Sequence, residues 1–118
     1  MSVWEKLEWE TIVPENPGVI LLRLSGALSS SRESYALLDE VRDNLRANYK
    51  KIVFNLENVE RLTSAGVGIL CACFTSIANS KGKMYLVGVS DRNRTLLDIV
   101  GLWDQLLHFS SESEVQFD

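Results

Sequence analysis

The fold is decided by Arg61-Leu62-Thr63-Ser64-Ala65-Gly66-Val67-Gly68-Ile69-Leu70 and by the apolar run before it, Ile52-Val53-Phe54-Asn55-Leu56. The apolar run is short, β-branched and aromatic, as buried strands are. A polar connection over residues 57–61 follows it, and a Ser or Thr at the start of the next apolar segment is an N-cap signal. We therefore expect a helix from about residue 65 to residue 79, with Thr63 and Ser64 at its N-terminus.

This helix is apolar on two faces, which indicates that it is mostly buried. One face carries Val67, Leu70, Cys71 and Phe74, and the other carries Ile69, Cys73 and Ile77. Gly66 and Gly68 in its first turns each weaken the helix by up to about 1 kcal/mol relative to alanine. Because glycine has no Cβ, their expected use is to let another backbone or a ligand approach closely.

The composition limits the class of protein. The chain has 118 residues, 46% of them hydrophobic, and is expected to form a single domain over residues 1–118. The net charge of -4 argues against a nucleic-acid partner, which would favour a basic patch. No apolar stretch has the length of a membrane span, and Met1–Glu5 lacks the features of a signal peptide. The expected location is the cytoplasm, without direct membrane insertion.

Ahead of the central strand, the sequence predicts two strands and a helix. Residues 3–13 largely alternate between apolar and polar, as in a half-buried strand. One face of this strand carries Leu7, Trp9, Thr11 and Val13. A turn over residues 14–18 leads to a second strand, Val19–Leu24, whose continuous apolarity indicates cover on both faces. Ser30 then has capping-box spacing with Glu33, which opens an amphipathic helix.

Beyond the central helix, the sequence predicts a strand, a third helix and a short last strand. Gly82 is the expected C-cap of the central helix, and residues 84–89 form the next strand. Ser90 caps the third helix. The apolar face of that helix carries Leu96, Ile99, Val100 and Trp103. Residues 106–109 are the expected last strand, and Ser111 has the capping-box spacing of a helical turn in the tail.

These elements give the order β-β-α-β-α-β-α-β. Strands that alternate with helices indicate an α/β fold with a mainly parallel sheet. We expect four to five strands, an antiparallel N-terminal strand, helices packed on the sheet, and right-handed crossovers. No repeat or linker divides the chain.

The sequence contains no catalytic or metal-binding set. Cys71 and Cys73 are two residues apart on a helix, so we expect reduced core residues rather than a disulfide or a zinc site. His108 stands alone in an apolar run, where a structural role is favoured over that of a general base. Gly66-Val67-Gly68 lacks the third glycine of a dinucleotide fingerprint. We expect no enzyme activity, no metal and no cofactor.

Thr63 and Ser64 remain as the candidates for function. One of the two hydroxyls is expected to cap the helix, which is the more common reason for Ser or Thr at this position. The other interpretation is a phosphate acceptor, because free N–H groups and the helix dipole favour negative charge there. A phosphoryl group adds close to two negative charges, so it would change what this surface binds. The residues alone leave both interpretations open.

Over nearly all of its length, the chain resembles the STAS domain family, which includes anti-sigma factor antagonists. The resemblance rests on Leu24-Ser25-Gly26-Ala27-Leu28 and on the strand Ile52–Leu56 leading into the helix. There, Thr63-Ser64-Ala65-Gly66-Val67-Gly68 is similar to the family's Asp-Ser-Ser-Gly-Leu-Gly motif. The resemblance implies a STAS-like fold, a bacterial regulator of transcription without catalytic activity, and a partner that is both an anti-sigma factor and a serine kinase.

The resemblance also implies a switch. In such family members the unphosphorylated antagonist holds its partner, and phosphorylation of the first motif serine releases it. Ser64 takes that position, with Thr63 as the alternative acceptor. The partner-binding residues that the resemblance implies are Ser29, Thr63, Ser64, Ala65, Gly66 and Val67.

Four positions depart from the family pattern. Thr63, Asn55 and Ser29 stand at positions that are often Asp, and Ala65 replaces the second serine. We therefore expect three carboxylates to be missing near the acceptor. The alternative is a STAS subunit without phosphoregulation, for example in the assembly of a membrane transporter with its ATPase. Nucleotide binding is a third interpretation that some STAS relatives allow and that no motif here supports.

Overall fold

The structure is a computed structural model that describes residues 6–117. Its strands are β1 (Glu8–Ile12), β2 (Val19–Leu28), β3 (Lys51–Leu62), β4 (Lys83–Val87) and β5 (Leu107–Phe109). Its α-helices are α1 (Arg32–Arg46), α2 (Ser64–Asn79) and α3 (Asp91–Ile99), and short 3₁₀ turns cover Trp103–Gln105 and Glu112–Glu114. The predicted element order is confirmed. The expectations for residues 1–5, on the start of the first strand and on signal features, lie outside the described residues.

One mixed sheet contains the five strands in the order β1-β2-β3-β4-β5. β1 is antiparallel to β2, and the other three pairings are parallel, as predicted. Each parallel pairing needs a crossover, and α1, α2 and α3 lie in these connections. Leu7 is buried just before β1, whereas Val13, expected on the same face, lies beyond the strand and is 59% exposed.

The sheet buries apolar side chains on both of its faces. The larger core lies between the sheet and the helices, and its fully buried residues include Leu22, Phe54, Leu70 and Leu86. The smaller core consists of Val19, Leu21, Val53, Tyr85 and Val87. It is covered by Ile12 and by the C-terminal residues Phe109, Val115 and Phe117. The predicted cover of β2 on both faces is therefore confirmed.

The strands β2 and β3 are both longer than the sequence predicts. The expected polar connection over residues 57–61 is wrong, because β3 continues through it to Leu62 and pairs with the extended end of β2. Val59 and Leu62 are buried while their polar neighbours are exposed. The register shifts after Arg23 and again after Gly26, which leaves extra residues in β3. Such bulges interrupt the alternation by which a strand is identified in sequence.

The end of α2 also differs from the prediction. Its C-cap is Ser80, and the residue with left-handed backbone is Lys81, at φ 61°. Gly82 has another use, since a Cβ there would collide with the carbonyl oxygen of Lys50. The same carbonyl accepts a hydrogen bond from the Lys83 N–H at 2.8 Å. Glycine is thus needed for a close approach between two chain segments rather than for ending the helix.

The helix α3 ends before the predicted apolar face is complete. Ile99 is 75% exposed and Val100 is 53% exposed, so the predicted face is wrong for both. The helix stops at Ile99, and Trp103 lies in a separate 3₁₀ turn. The buried side of α3 includes Leu97 instead. Trp103 is nevertheless buried in the larger core, as predicted.

Candidate functional site

Thr63 is the N-cap of α2, and its hydroxyl is fully engaged there. Its Oγ1 accepts a hydrogen bond from the Gly66 N–H at 3.1 Å and donates one to the Leu28 carbonyl at 3.4 Å. The Thr63 N–H donates to the same carbonyl at 3.1 Å. Leu28 is the last residue of β2, so the hydrogen bonds of Thr63 join the start of α2 to the end of that strand. The capping role that the sequence leaves open therefore belongs to Thr63.

Ser64 is the first residue of α2, and its hydroxyl is not engaged. The side chain is exposed and makes no hydrogen bond within residues 6–117. Helix formation does not require this hydroxyl, because Thr63 already supplies the cap. The N–H groups of the first helical turn favour added negative charge at this place. Ser64 is therefore chemically available for modification.

Gly66 allows α2 to pack directly on the end of β2. A Cβ at this position would lie 2.6 Å from the carbonyl carbon of Leu28 and closer still to its oxygen, so the predicted close approach is confirmed. At Gly68 a Cβ would meet nothing within 4 Å, so no other backbone of the described chain approaches this glycine, and the approach of a ligand there stays a prediction. Val67 is buried in the core. Gly66 and Val67 thus lie below the surface that exposes Ser64.

The loop between β2 and α1 is fixed by a chain of serine hydrogen bonds. The cap of α1 is Ser31, not Ser30 as predicted, because the Ser31 Oγ accepts from the Ser34 N–H at 3.1 Å. The Ser31 Oγ also donates to the Ser34 Oγ at 2.9 Å. The Ser29 N–H donates to that same oxygen at 3.1 Å. Since Ser34 is fully buried, these bonds hold the backbone of Ser29 in place from below.

One open cleft of about 750 Å³, here called the Ser64 cleft, brings together four of the predicted binding residues: Ser29, Thr63, Ser64 and Ala65. Its charged side chains are Lys6, Glu33, Glu60 and Arg61. Within residues 6–117, none of these four takes part in an ion pair. From the sequence, Glu60 and Arg61 are expected in a polar connection, so a place in a cleft is not predicted for them. The carboxylates of Glu33 and Glu60 thus line the cleft, even though Ser29 and Thr63 supply no carboxylate at the two positions that are often Asp in the family.

Asn55 does not lie in the Ser64 cleft. It is seven residues before Leu62 on β3, which is about 20 Å along a strand. Its Nδ2 donates to the Glu112 Oε2 at 2.6 Å, and its Oδ1 accepts from the Glu57 N–H at 2.9 Å. The Glu57 N–H falls within a register shift of the β2–β3 pairing. The expectation that Asn55 leaves a carboxylate missing near the acceptor is therefore wrong.

A second polar cluster, here called the Glu112 cluster, consists of Arg23, Asn55 and Glu112. Arg23 and Asn55 are register partners on β2 and β3, and both donate to Glu112. Arg23 does so through Nε and Nη2, each at 2.9 Å. The hydrogen bond from Arg23 is the main cause that lowers the pKa of the Glu112 carboxyl. Nearby, Phe117 packs edge-on against Tyr85 with 5.2 Å between ring centroids, so the C-terminal segment covers the smaller core.

Cys71, Cys73 and His108 do not line the Ser64 cleft. Cys71 and Cys73 both carry free thiols, as predicted, and burial raises the pKa of the Cys73 thiol to about 12. His108 stacks on Trp103 with 3.8 Å between ring centroids. Within residues 6–117, no cluster of three or more His, Cys, Asp or Glu residues could hold a metal ion. No helix in this range is both long and apolar enough to cross a membrane.

A family model identifies the class of protein that this fold and cleft define. The model is described as the STAS domain, and it matches residues 10–115. The chain therefore belongs to the STAS domain family. Among its relatives in sequence is the anti-sigma-B factor antagonist of Staphylococcus aureus (strain NCTC 8325 / PS 47), which is 34% identical over 80 residues. The matched region is 67% of this chain and 73% of that protein.

Solved structures of anti-sigma factor antagonists share the fold. One from Mycobacterium paratuberculosis aligns with a TM-score of 0.78 at 19% identity, over 97% of this chain and 94% of that chain. The antagonist SpoIIAA in its unphosphorylated form aligns with a TM-score of 0.76 at 17% identity, over 90% of this chain and 91% of that chain. SpoIIAA of Bacillus in the phosphorylated form aligns with a TM-score of 0.65 at 17% identity, over 90% of this chain and 95% of that chain. At these identities the likeness establishes the α/β fold.

Proposed function

We propose that this STAS domain is a non-catalytic regulatory module that binds an anti-sigma factor in the cytoplasm, and that phosphorylation of Ser64 releases the partner. The observation that carries the proposal is the contrast between two adjacent hydroxyls. Thr63 is engaged in capping α2, whereas Ser64 is exposed and makes no hydrogen bond within residues 6–117. The name of the Staphylococcus aureus relative, an anti-sigma-B factor antagonist, supports the class of partner.

The modification is a phosphoryl transfer from a nucleoside triphosphate. The Ser64 Oγ attacks the γ-phosphorus, a new Oγ–P bond forms, and the bond to the β-phosphate oxygen breaks. The hydroxyl proton passes to a base, and the nucleoside diphosphate leaves. In this proposal the base and the nucleotide belong to the partner, which is an anti-sigma factor and also a serine kinase.

The position of Ser64 explains how the phosphate would act. A phosphoserine carries about 1.5 to 2 negative charges at pH 7, which the N-terminus of α2 tolerates. Because the Ser64 hydroxyl makes no hydrogen bond within residues 6–117, its modification breaks no hydrogen bond of the described fold. A partner seated in the Ser64 cleft would instead meet a bulky dianion. The proposed contact residues are Ser29, Thr63, Ser64 and Ala65 at the surface, with Gly66 and Val67 shaping it from below.

A second candidate is a STAS subunit without phosphoregulation, such as one that assembles with the ATPase of a membrane transporter. The observation in its favour is the neutral character of Ser29 and Thr63, which line the cleft beside the acceptor. Against it, Glu33 and Glu60 line the same cleft, so carboxylates are present near Ser64 from other positions. Binding through the cleft is common to both candidates, and they differ in whether Ser64 is modified.

The experiment that separates them is peptide mapping by mass spectrometry of the protein purified from its native cells under several growth conditions. A strain that carries Ser64→Ala is the matched control. Phosphate on Ser64 in the wild type, absent from the control, supports the switch. Phosphate on Thr63 would contradict the assignment of the acceptor, because that hydroxyl is engaged in the cap. No phosphate under any condition would favour the subunit without phosphoregulation.

A further inference from the structure

Two cationic side chains in the Ser64 cleft have no ion-pair partner among residues 6–117. Arg61 lies near the end of β3, three residues before Ser64, and is exposed. Lys6 is exposed in the segment before β1. The ion pairs within this range are made by other arginines: Arg23, Arg46 and Arg94. Both cations are therefore available to a negatively charged group that enters the cleft.

The surrounding fold leaves both cations open to the cleft. The register partner of Arg61 on β2 is Ala27, which lines the same cleft. Because alanine is small, no long side chain at the partner position covers the guanidinium. Lys6 is followed by Leu7, which is buried and also lines the cleft, so the backbone of Lys6 is anchored beside it.

We infer, on the basis of the function proposed above, that Arg61 binds the phosphate of phosphorylated Ser64 within the same chain, with Lys6 as a second cation. A guanidinium presents a planar pair of donors that matches two phosphate oxygens, whereas an ammonium acts as a point charge. Two cations balance the charge of a dianion. Glu33 and Glu60 also face the cleft and repel the phosphate, and the two cations offset this repulsion.

The partner surface that contacts Arg61 and Lys6 would be acidic. In the unphosphorylated protein, Arg61 and Lys6 are free to meet acidic side chains of the partner. After phosphorylation they are neutralised from within the chain, and the acidic partner surface then faces a phosphate without its former cations. This switch requires no acidic residue at position 29 or 63, where the chain has Ser29 and Thr63.

The test uses the full chain with phosphoserine placed at position 64 during biosynthesis, so it needs neither a kinase nor a partner. Titration followed by ³¹P NMR gives the second pKa of the phosphate, whose ordinary value is about 6. We expect Arg61→Gln to raise this pKa by about half a unit, and Lys6→Gln to raise it by less. Every variant retains the N-terminus of α2, so the helix does not account for a difference in the phosphate pKa between variants.

Arg46→Gln is the matched control, since it removes one cation from the other end of α2. Arg46 shares a groove with Asn79 and Ser80, about 24 Å from Ser64 along the helix. An unchanged pKa in this variant together with a raised pKa in Arg61→Gln supports the inference. The same pKa in both variants overturns it. Absence of phosphate on Ser64 in native cells would overturn the proposed function instead, and the titration is independent of that result.

Discussion

Asn55 donates its side-chain amide to Glu112 over 2.6 Å, which joins β3 to the C-terminal segment. The same side chain accepts a hydrogen bond from the Glu57 N–H at 2.9 Å. The position must therefore supply a donor to a carboxylate and an acceptor to a backbone N–H. Of Asn and ionised Asp, only Asn does both. The identity of residue 55 is thus explained by the Glu112 cluster, in which its amide takes part.

Replacing this amide by a carboxylate is expected to destabilise the protein. In Asn55→Asp the new carboxylate would face Glu112 without a donor, and the free energy of unfolding should fall by about 1–3 kcal/mol at pH 7. The loss should shrink near about pH 4, where one carboxylate takes up a proton and restores the hydrogen bond. Urea denaturation at both pH values measures the effect. Asn16→Asp, in an exposed turn, adds the same charge and should cost less than about 0.5 kcal/mol.

The contribution of Glu112 to stability is expected to depend on pH. Its carboxyl has a pKa that the hydrogen bond from Arg23 lowers from the ordinary value of 4.5. A group whose pKa is lowered on folding stabilises the protein above its unfolded pKa and loses that contribution as the pH falls through the folded value. The difference in unfolding free energy between wild type and Glu112→Gln should therefore be largest above about pH 5 and shrink below it. A difference that is constant with pH would contradict this account.

The two hydroxyls of the cleft are expected to have separable effects. Thr63→Ala removes the N-cap of α2 and should lower the free energy of unfolding by about 1 kcal/mol. Thr63→Ser keeps the capping oxygen and should restore most of this loss. Ser64→Ala should leave stability unchanged within about 0.5 kcal/mol, because the hydroxyl makes no hydrogen bond within residues 6–117. Chemical denaturation that finds Ser64→Ala as costly as Thr63→Ala would reverse the assignment of the cap.

The two glycines of α2 should respond oppositely to the same substitution. Gly66→Ala places a methyl group against the Leu28 carbonyl, and we expect a loss of more than about 2 kcal/mol, because backbone must shift. Gly68→Ala meets nothing within 4 Å and should gain up to about 1 kcal/mol from helix propensity. Thermal unfolding of the two variants is the measurement. Similar changes in both would show that the end of β2 does not approach α2 as closely as described.

The element order and the placement of Ser64 were predictable because they depend on local signals. The apolar run at residues 52–56 and the hydroxyls before α2 identify a strand and a helix start without knowledge of distant contacts. The extension of β3 was not predictable in this way. Its continuation to Leu62 is stabilised by pairing with β2 across two register shifts, and its exposed polar residues have the composition of a loop.

Contacts between distant residues were the other feature that the sequence did not reveal. Glu112 binds Asn55 and Arg23 across sequence separations of 57 and 89 residues. No local pattern encodes such a pairing, so the sequence shows Asn55 only as a departure from the family pattern. The early end of α3 is also not visible in the sequence. Ile99 and Val100 have the spacing of an apolar helix face, but the helix ends at Ile99 and both side chains are exposed. Arg61 has no predicted role, because the sequence favours a polar connection over residues 57–61.

The proposed switch is tested by the affinity of the protein for the anti-sigma factor of its own organism, measured by calorimetry with and without phosphate on Ser64. Phosphoserine introduced at position 64 during biosynthesis supplies the modified form, and Ser64→Ala controls for loss of the hydroxyl. We predict that Ser64→Ala binds about as well as wild type, and that the phosphorylated form binds at least about tenfold more weakly. Equal affinity of the phosphorylated and unphosphorylated forms would contradict the proposed switch.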